Sequence, residues 1–213
     1  LLTFDDGFES NFHIATNIFA RLGIKVLFFV CPGLVDTPAA VQSSAICAHI
    51  FRGRQTEESL PPGLKLMTWA QIDELIAKGH AIGCHGMLHQ RLTTLSPGEL
   101  ETEVLAAADR LESQIGKATP WYAYAFGDID SIDANALEVI GRRFALCRSG
   151  VRGLNTATTP PLGLLAESLE PSSPPTYQHL LLEGGLDIRY SVARNTLAGL
   201  IEHGASVNPS ATG

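Results

Sequence analysis

The chain has 213 residues, a formal net charge of −7, 45% hydrophobic residues and 17% charged ones. That length and balance suit a single α/β domain with a sizeable core. An acidic total without a lysine- or arginine-rich run argues against nucleic acid or an anionic membrane surface as partner, and no apolar stretch nears the roughly 20 residues of a transmembrane helix.

The first segment, Leu1-Leu2-Thr3-Phe4-Asp5-Asp6-Gly7, is an apolar run that ends in two adjacent carboxylates and a glycine. This is how a buried strand ends at the carboxyl edge of an α/β sheet, where ligand sites gather. One aspartate at a strand-to-helix turn is commonly a helix cap. Two side by side repel, so the second needs a cation, a proton or a strong donor nearby. The chain opens inside this pattern, so an upstream segment is expected to precede it, and the compartment stays open.

Phe12, Ala15, Ile18, Phe19 and Leu22 recur at helical spacing, and Gly23 closes that helix. Lys25 to Val30 is a continuous apolar strand halted at Cys31-Pro32-Gly33. Strand, helix and strand form one βαβ unit and favour a parallel sheet. Residues 34–66 read as an insertion at the active-site end, with a helix over Ala39 to Phe51. Such an insertion either shapes a substrate groove or is a plain surface loop.

Thr68 caps a helix through Lys78, and His80 to Cys84 forms the next strand, running into His85-Gly86-Met87-Leu88-His89. Ser96, Pro97 and Glu99 open a long helix through Ile115 whose buried stripe is Leu100, Val104, Leu105, Ala108 and Leu111. Trp121 to Ala125 is a strand, Ile132 to Arg143 a helix and Phe144 to Cys147 a strand. Beyond Arg148 the pattern loosens. A strand over Leu164 to Leu169, a linker over Pro171 to Pro175, a helix over Tyr190 to His203 and a short strand over Ala205 to Val207 are expected. The four cysteines have no C-x-x-C spacing, which points to buried free thiols. The alternation predicts a distorted, incomplete (β/α) barrel of about seven parallel strands. Residues 1–213 are read as one domain, with a divergent segment over 171–213.

His85 and His89, four residues apart after a strand, can reach one ion if the turn between them is tight. With a carboxylate from Asp6 they make an Asp-His-His set with open positions, as catalytic metals need. His80, at the strand's start, belongs to the opposite edge of the sheet and is read as structural.

Thr3-Phe4-Asp5-Asp6-Gly7 followed by His85-Gly86-Met87-Leu88-His89 resembles the first two motifs of the polysaccharide deacetylases, carbohydrate esterase family four with its NodB homology domain. Tyr122-Ala123-Tyr124-Ala125-Phe126-Gly127-Asp128 is similar to the third. The resemblance covers roughly residues 1 to 155. It implies Asp5 as catalytic base, with Asp6, His85 and His89 as ligands of a divalent metal, zinc by default and cobalt, nickel or manganese otherwise. It also implies an oxyanion-stabilising backbone N–H at Phe126.

Four departures stand out. Gly86 replaces a serine or threonine, Ala125 replaces a proline, position 123 lacks the base-orienting arginine of one version of the family, and no strand leads to a general-acid histidine. The candidates for that acid, His179 and His203, follow no strand. The implied reaction is metal-dependent removal of N-acetyl or similar acyl groups from amino sugars of an oligo- or polysaccharide. The rival readings are a catalytically silent carbohydrate binder and a deacylase of a small nitrogen compound.

Overall fold

The computed structural model describes residues 1–185 and 187–207, without the side chains of 203–207. Five strands form one parallel sheet: β1 (Leu2–Phe4), β2 (Val26–Val30), β3 (Ala81–Cys84), β4 (Trp121–Ala123) and β5 (Leu146–Arg148). Their spatial order is their chain order. Right-handed crossovers between successive parallel neighbours put every connecting helix on the same side. The result is an open, incomplete barrel, as the alternation predicted. β2 is buried along its whole length, and its side chains divide between two cores. Val26, Phe28 and Val30 face the helices with Ile82, Cys84 and Tyr122, whereas Leu27 and Phe29 meet Ala123 on the other face.

The strand count is lower than the sequence suggested. Leu164 makes a single parallel bridge to Arg148, with Leu164 N–H donating to Cys147 O and Ala166 N–H to Val151 O. The pairing extends the sheet edge without a regular strand, between prolines at 161 and 171. Ala205–Val207 is not a strand either; it ends the helix Ser191–Val207. The expected linker at Pro175 instead starts the helix Pro175–Leu182.

Helix ends follow local chemistry. Thr68 and Gln71 form a reciprocal cap, as do Ser96 and Glu99 ahead of the helical residues 97–115. Residues 34–66 are ordered around their own small core of Leu34, Ile46 and Leu66. They are tied to the first motif by Met67 N–H donating to Gly7 O and Glu9 N–H to Lys65 O, both at 2.8 Å. All four cysteines are buried and unpaired, which fits the reading of them as free thiols.

Candidate active site

Six residues of the candidate site lie at or just past a strand's carboxyl end: Asp5 and Asp6 after β1, His85 and His89 after β3, Phe126 after β4 and Arg148 at the end of β5. One carboxylate oxygen of Asp6 lies 3.6 Å from His85 Nε2 and 3.2 Å from His89 Nε2. Donors on a tetrahedral ion with bonds of about 2.1 Å stand about 3.4 Å apart, and these separations bracket that value.

The other ring nitrogens are tied down. His85 Nδ1 is 2.7 Å from Ala123 O, and His89 Nδ1 is 3.3 Å from His49 O. A carbonyl can only accept, so each Nδ1 carries a proton; each Nε2 faces Asp6, donating to it while the imidazole is protonated and offering a lone pair once that proton leaves. The donor chemistry fits a divalent metal held by Asp6, His85 and His89. Burial would raise the Asp6 carboxyl, but hydrogen bonds from His85 and His89 outweigh it and hold Asp6 well below the usual carboxylate range. Burial likewise would lower His85, yet Asp6 and the charge of Asp5 carry it above an ordinary imidazole.

Asp6, His89 and Phe126 all have left-handed backbone, with φ of 68°, 59° and 68°. Non-glycine residues adopt this at a cost of order 1–3 kcal/mol each and cluster at functional sites. The strain turns the three residues inward: His89 and Phe126 meet edge to face at 4.5 Å. Tyr124 holds that last turn by donating its hydroxyl to Gly127 O at 3.1 Å.

The polysaccharide deacetylase family profile matches residues 1–145. The chain belongs to the polysaccharide deacetylase family. Among solved structures it is similar to the Streptococcus pyogenes deacetylase PplD, at 22% identity and a TM-score of 0.67 over 84% of this chain and 68% of that one. It is also similar to IcaB from Ammonifex degensii, at 22% identity and a TM-score of 0.60 over 85% and 72%. A third, the Bacillus cereus polysaccharide deacetylase BC0361, is 18% identical with a TM-score of 0.58 over 76% of this chain, which spans only 44% of that protein. These likenesses bear on the fold. Comparison with curated proteins returns no match.

Among polysaccharide deacetylases, two departures of this chain find structural answers that the sequence reading missed. The arginine absent at position 123 enters from the next strand. Ala123 and Arg148 are register partners across β4 and β5, and an Arg148 N–H donates to Asp5 Oδ2 at 2.5 Å. Asp5 Oδ1 is buried and meets no hydrogen-bond partner among the described residues. The signal was an arginine one residue past the predicted strand Phe144–Cys147.

Gly86 is answered by Glu103. This carboxylate is buried and accepts from Leu88 N–H (3.1 and 3.2 Å), Gln90 N–H (2.9 Å) and the Gln90 side chain (3.3 Å). It therefore braces both sides of His89. Burial pushes it up from the ordinary glutamate range, against the pull of Gln90 and Leu88. A Cβ on Gly86, whose φ is 84°, would meet Glu103 Oε1, so no serine or threonine fits while Glu103 stands there. Glu103 sits in a π turn (Thr102–Ala106) on the buried face, where a lone carboxylate needs partners, and that was the legible signal.

The remaining expectations divide. Asp128 serves a loop, paired twice at 2.9 Å with Arg91 and accepting from Ser131. His80 accepts from Val26 N–H at the far edge of the sheet. His179 lies in the helix Pro175–Leu182, exposed and 4.0 Å from Glu183 one turn on. The side chain of His203 lies outside the described residues. The histidine that does reach the site region is His49 of the insertion, which shares a pocket with His89 and Phe126. No strand leads to it, so the sequence pattern passed it over.

Proposed function

We propose that the chain is a metal-dependent hydrolase that removes N-acetyl or similar acyl groups from amino sugars of an oligo- or polysaccharide. The observation that carries this is the pair of imidazoles, each with Nδ1 tied to a carbonyl and Nε2 turned on Asp6, beside a second carboxylate paired with Arg148. A divalent ion, zinc by default, would be held by Asp6, His85 and His89, and when bound it polarises the acyl carbonyl and makes water acidic enough to attack.

The rest is done by the chain's own groups. Asp5 is the base, its carboxylate oriented by the Arg148 N–H on Oδ2, and takes the proton of the attacking water. The Phe126 backbone N–H is the donor to the developing oxyanion, aimed by its left-handed turn. His49, on the same pocket, is the histidine placed to give the leaving amine its proton. Residues 1–213 act as one catalytic unit, the insertion supplying one wall of the pocket.

The test is acetate release from acetylated chitooligosaccharides, with and without a chelator. Release that stops on chelation and returns with zinc or cobalt supports the reading. Saccharide binding without release would favour a silent binder instead, and release that ignores the chelator would remove the metal from the mechanism.

A further inference from the structure

Beside the metal-type site the insertion places a cation that nothing in the proposed chemistry uses. Arg52 is half-buried, and among the described residues no carboxylate pairs with it. Its backbone is left-handed, with φ of 54°. An arginine takes that conformation only when its surroundings insist, and here the turn sets the guanidinium against Phe126, Cζ 3.3 Å from the ring centroid. At that distance only a face-to-face stack avoids overlap, so the N–H fork points sideways, off the ring edge.

Arg91 approaches the same ring at 5.5 Å, but Asp128 holds it in a two-bond pair. Asp128 is in turn committed to Arg91 and Ser131. One guanidinium is therefore neutralised and the other is not. Both line an open pocket of about 390 Å³ with His89, Gln90, Thr94 and Phe126, within the range of about 300–1,000 Å³ usual for small-ligand sites. Burial and the charge of Arg91 disfavour the Arg52 cation, and the charge of Asp128 offsets them only in part.

From this we infer that the pocket is a subsite for an oxyanion, a carboxylate or phosphate carried by the saccharide unit next to the reacting N-acetyl sugar. A planar fork fixed in a half-buried cleft matches two oxygens of such a group, whereas a neutral sugar hydroxyl gains little from an unpaired cation. The inference rests on the deacetylase reading for the identity of the neighbouring sugar. Arg52 contributes to specificity, with Gln90 and Thr94 as further polar lining.

The experiment compares kcat/KM for acetate release from N,N′-diacetylchitobiose, from its 6-phosphate on the neighbouring unit, and from a disaccharide of N-acetylglucosamine and glucuronate. The parent should favour at least one anionic substrate by about tenfold or more, mainly through KM. Arg52→Gln should bring that ratio close to one, and Arg52→Lys should keep part of it. The ratio cancels any general loss from disturbing Phe126. The uronate and phosphate arms tell which oxyanion is taken. Calorimetric binding of the same three sugars keeps the two readings apart. Arg52-dependent binding of an anionic sugar without acetate release would sustain the subsite and sink the deacetylase. Equal turnover of all three, or a preference that survives Arg52→Gln, would overturn the subsite and leave the deacetylase standing.

Discussion

Glu103 offers a sharp test of how the site is braced. Glu103→Ala removes the acceptor for the backbone N–H groups of Leu88 and Gln90, on either side of His89. Each half-buried donor left without a partner costs about 1–2 kcal/mol, for a total near 3 kcal/mol. In a chain of this size that lowers Tm by about 6–12 °C. Glu103→Gln keeps the shape and one acceptor oxygen but turns an NH₂ towards one of the donors, so roughly half that loss is expected. Because the brace orients His89, both variants should also weaken metal binding by about 10–100-fold. The assays are thermal unfolding of the metal-free protein and a metal titration. The steric half is tested by Gly86→Ser, which should cost less in a Glu103→Ala background than in the parent, since the clash with Oε1 is gone while the φ penalty remains. Parent-like Tm and metal affinity in Glu103→Ala, or additive effects in the double variant, would refute the reasoning.

Other outcomes follow from the same geometry. One divalent ion per chain is expected on elemental analysis, and His89→Ala should lower metal affinity; protein that ignores added zinc or cobalt in both stability and activity would sink the site. Asp5→Asn should cost about 10²–10⁴-fold in turnover with the metal retained, whereas loss of metal from Asp5→Asn but not from Asp6→Asn would mean that the two carboxylates have exchanged roles. His179→Ala should keep most of the activity and His49→Ala should not; the reverse result would return the acid to the C-terminal segment. In metal-free protein the depressed Asp6 adds stability above an ordinary carboxylate pKa that is lost as pH falls through its folded value. The raised His85 adds stability below an ordinary imidazole pKa that is lost as pH rises through its folded value. Both are present between about pH 4 and 6.5. Metal must displace the His85 proton, so calorimetry in buffers of different ionisation heat should show more proton release at pH 6 than at pH 8, and equal release would contradict the assignment.

Periodicity and punctuation alone made the βα alternation, the parallel sheet and the capped helices legible, because a buried strand and a one-sided helix impose local patterns on the residues that form them. Asp5-Asp6 and His85…His89 stood out for a related reason: each is a cluster of polar residues directly after an apolar run, at the sheet edge where such runs end. What pairs across the sheet could not be read this way. Arg148 meets Asp5 only because parallel register sets β5 beside β4 at the level of Ala123. Glu103 braces the His89 loop only because a π turn carries it to the buried face. His49 and Arg52 reach the pocket through an insertion whose path depends on its own small core of Leu34, Ile46 and Leu66. The left-handed backbone at Asp6, His89 and Phe126 is also a product of packing, since no local preference of aspartate, histidine or phenylalanine demands it. The residue types that carry the chemistry are written locally; their partners lie up to 143 positions away in the chain, and only the folded sheet brings the two together.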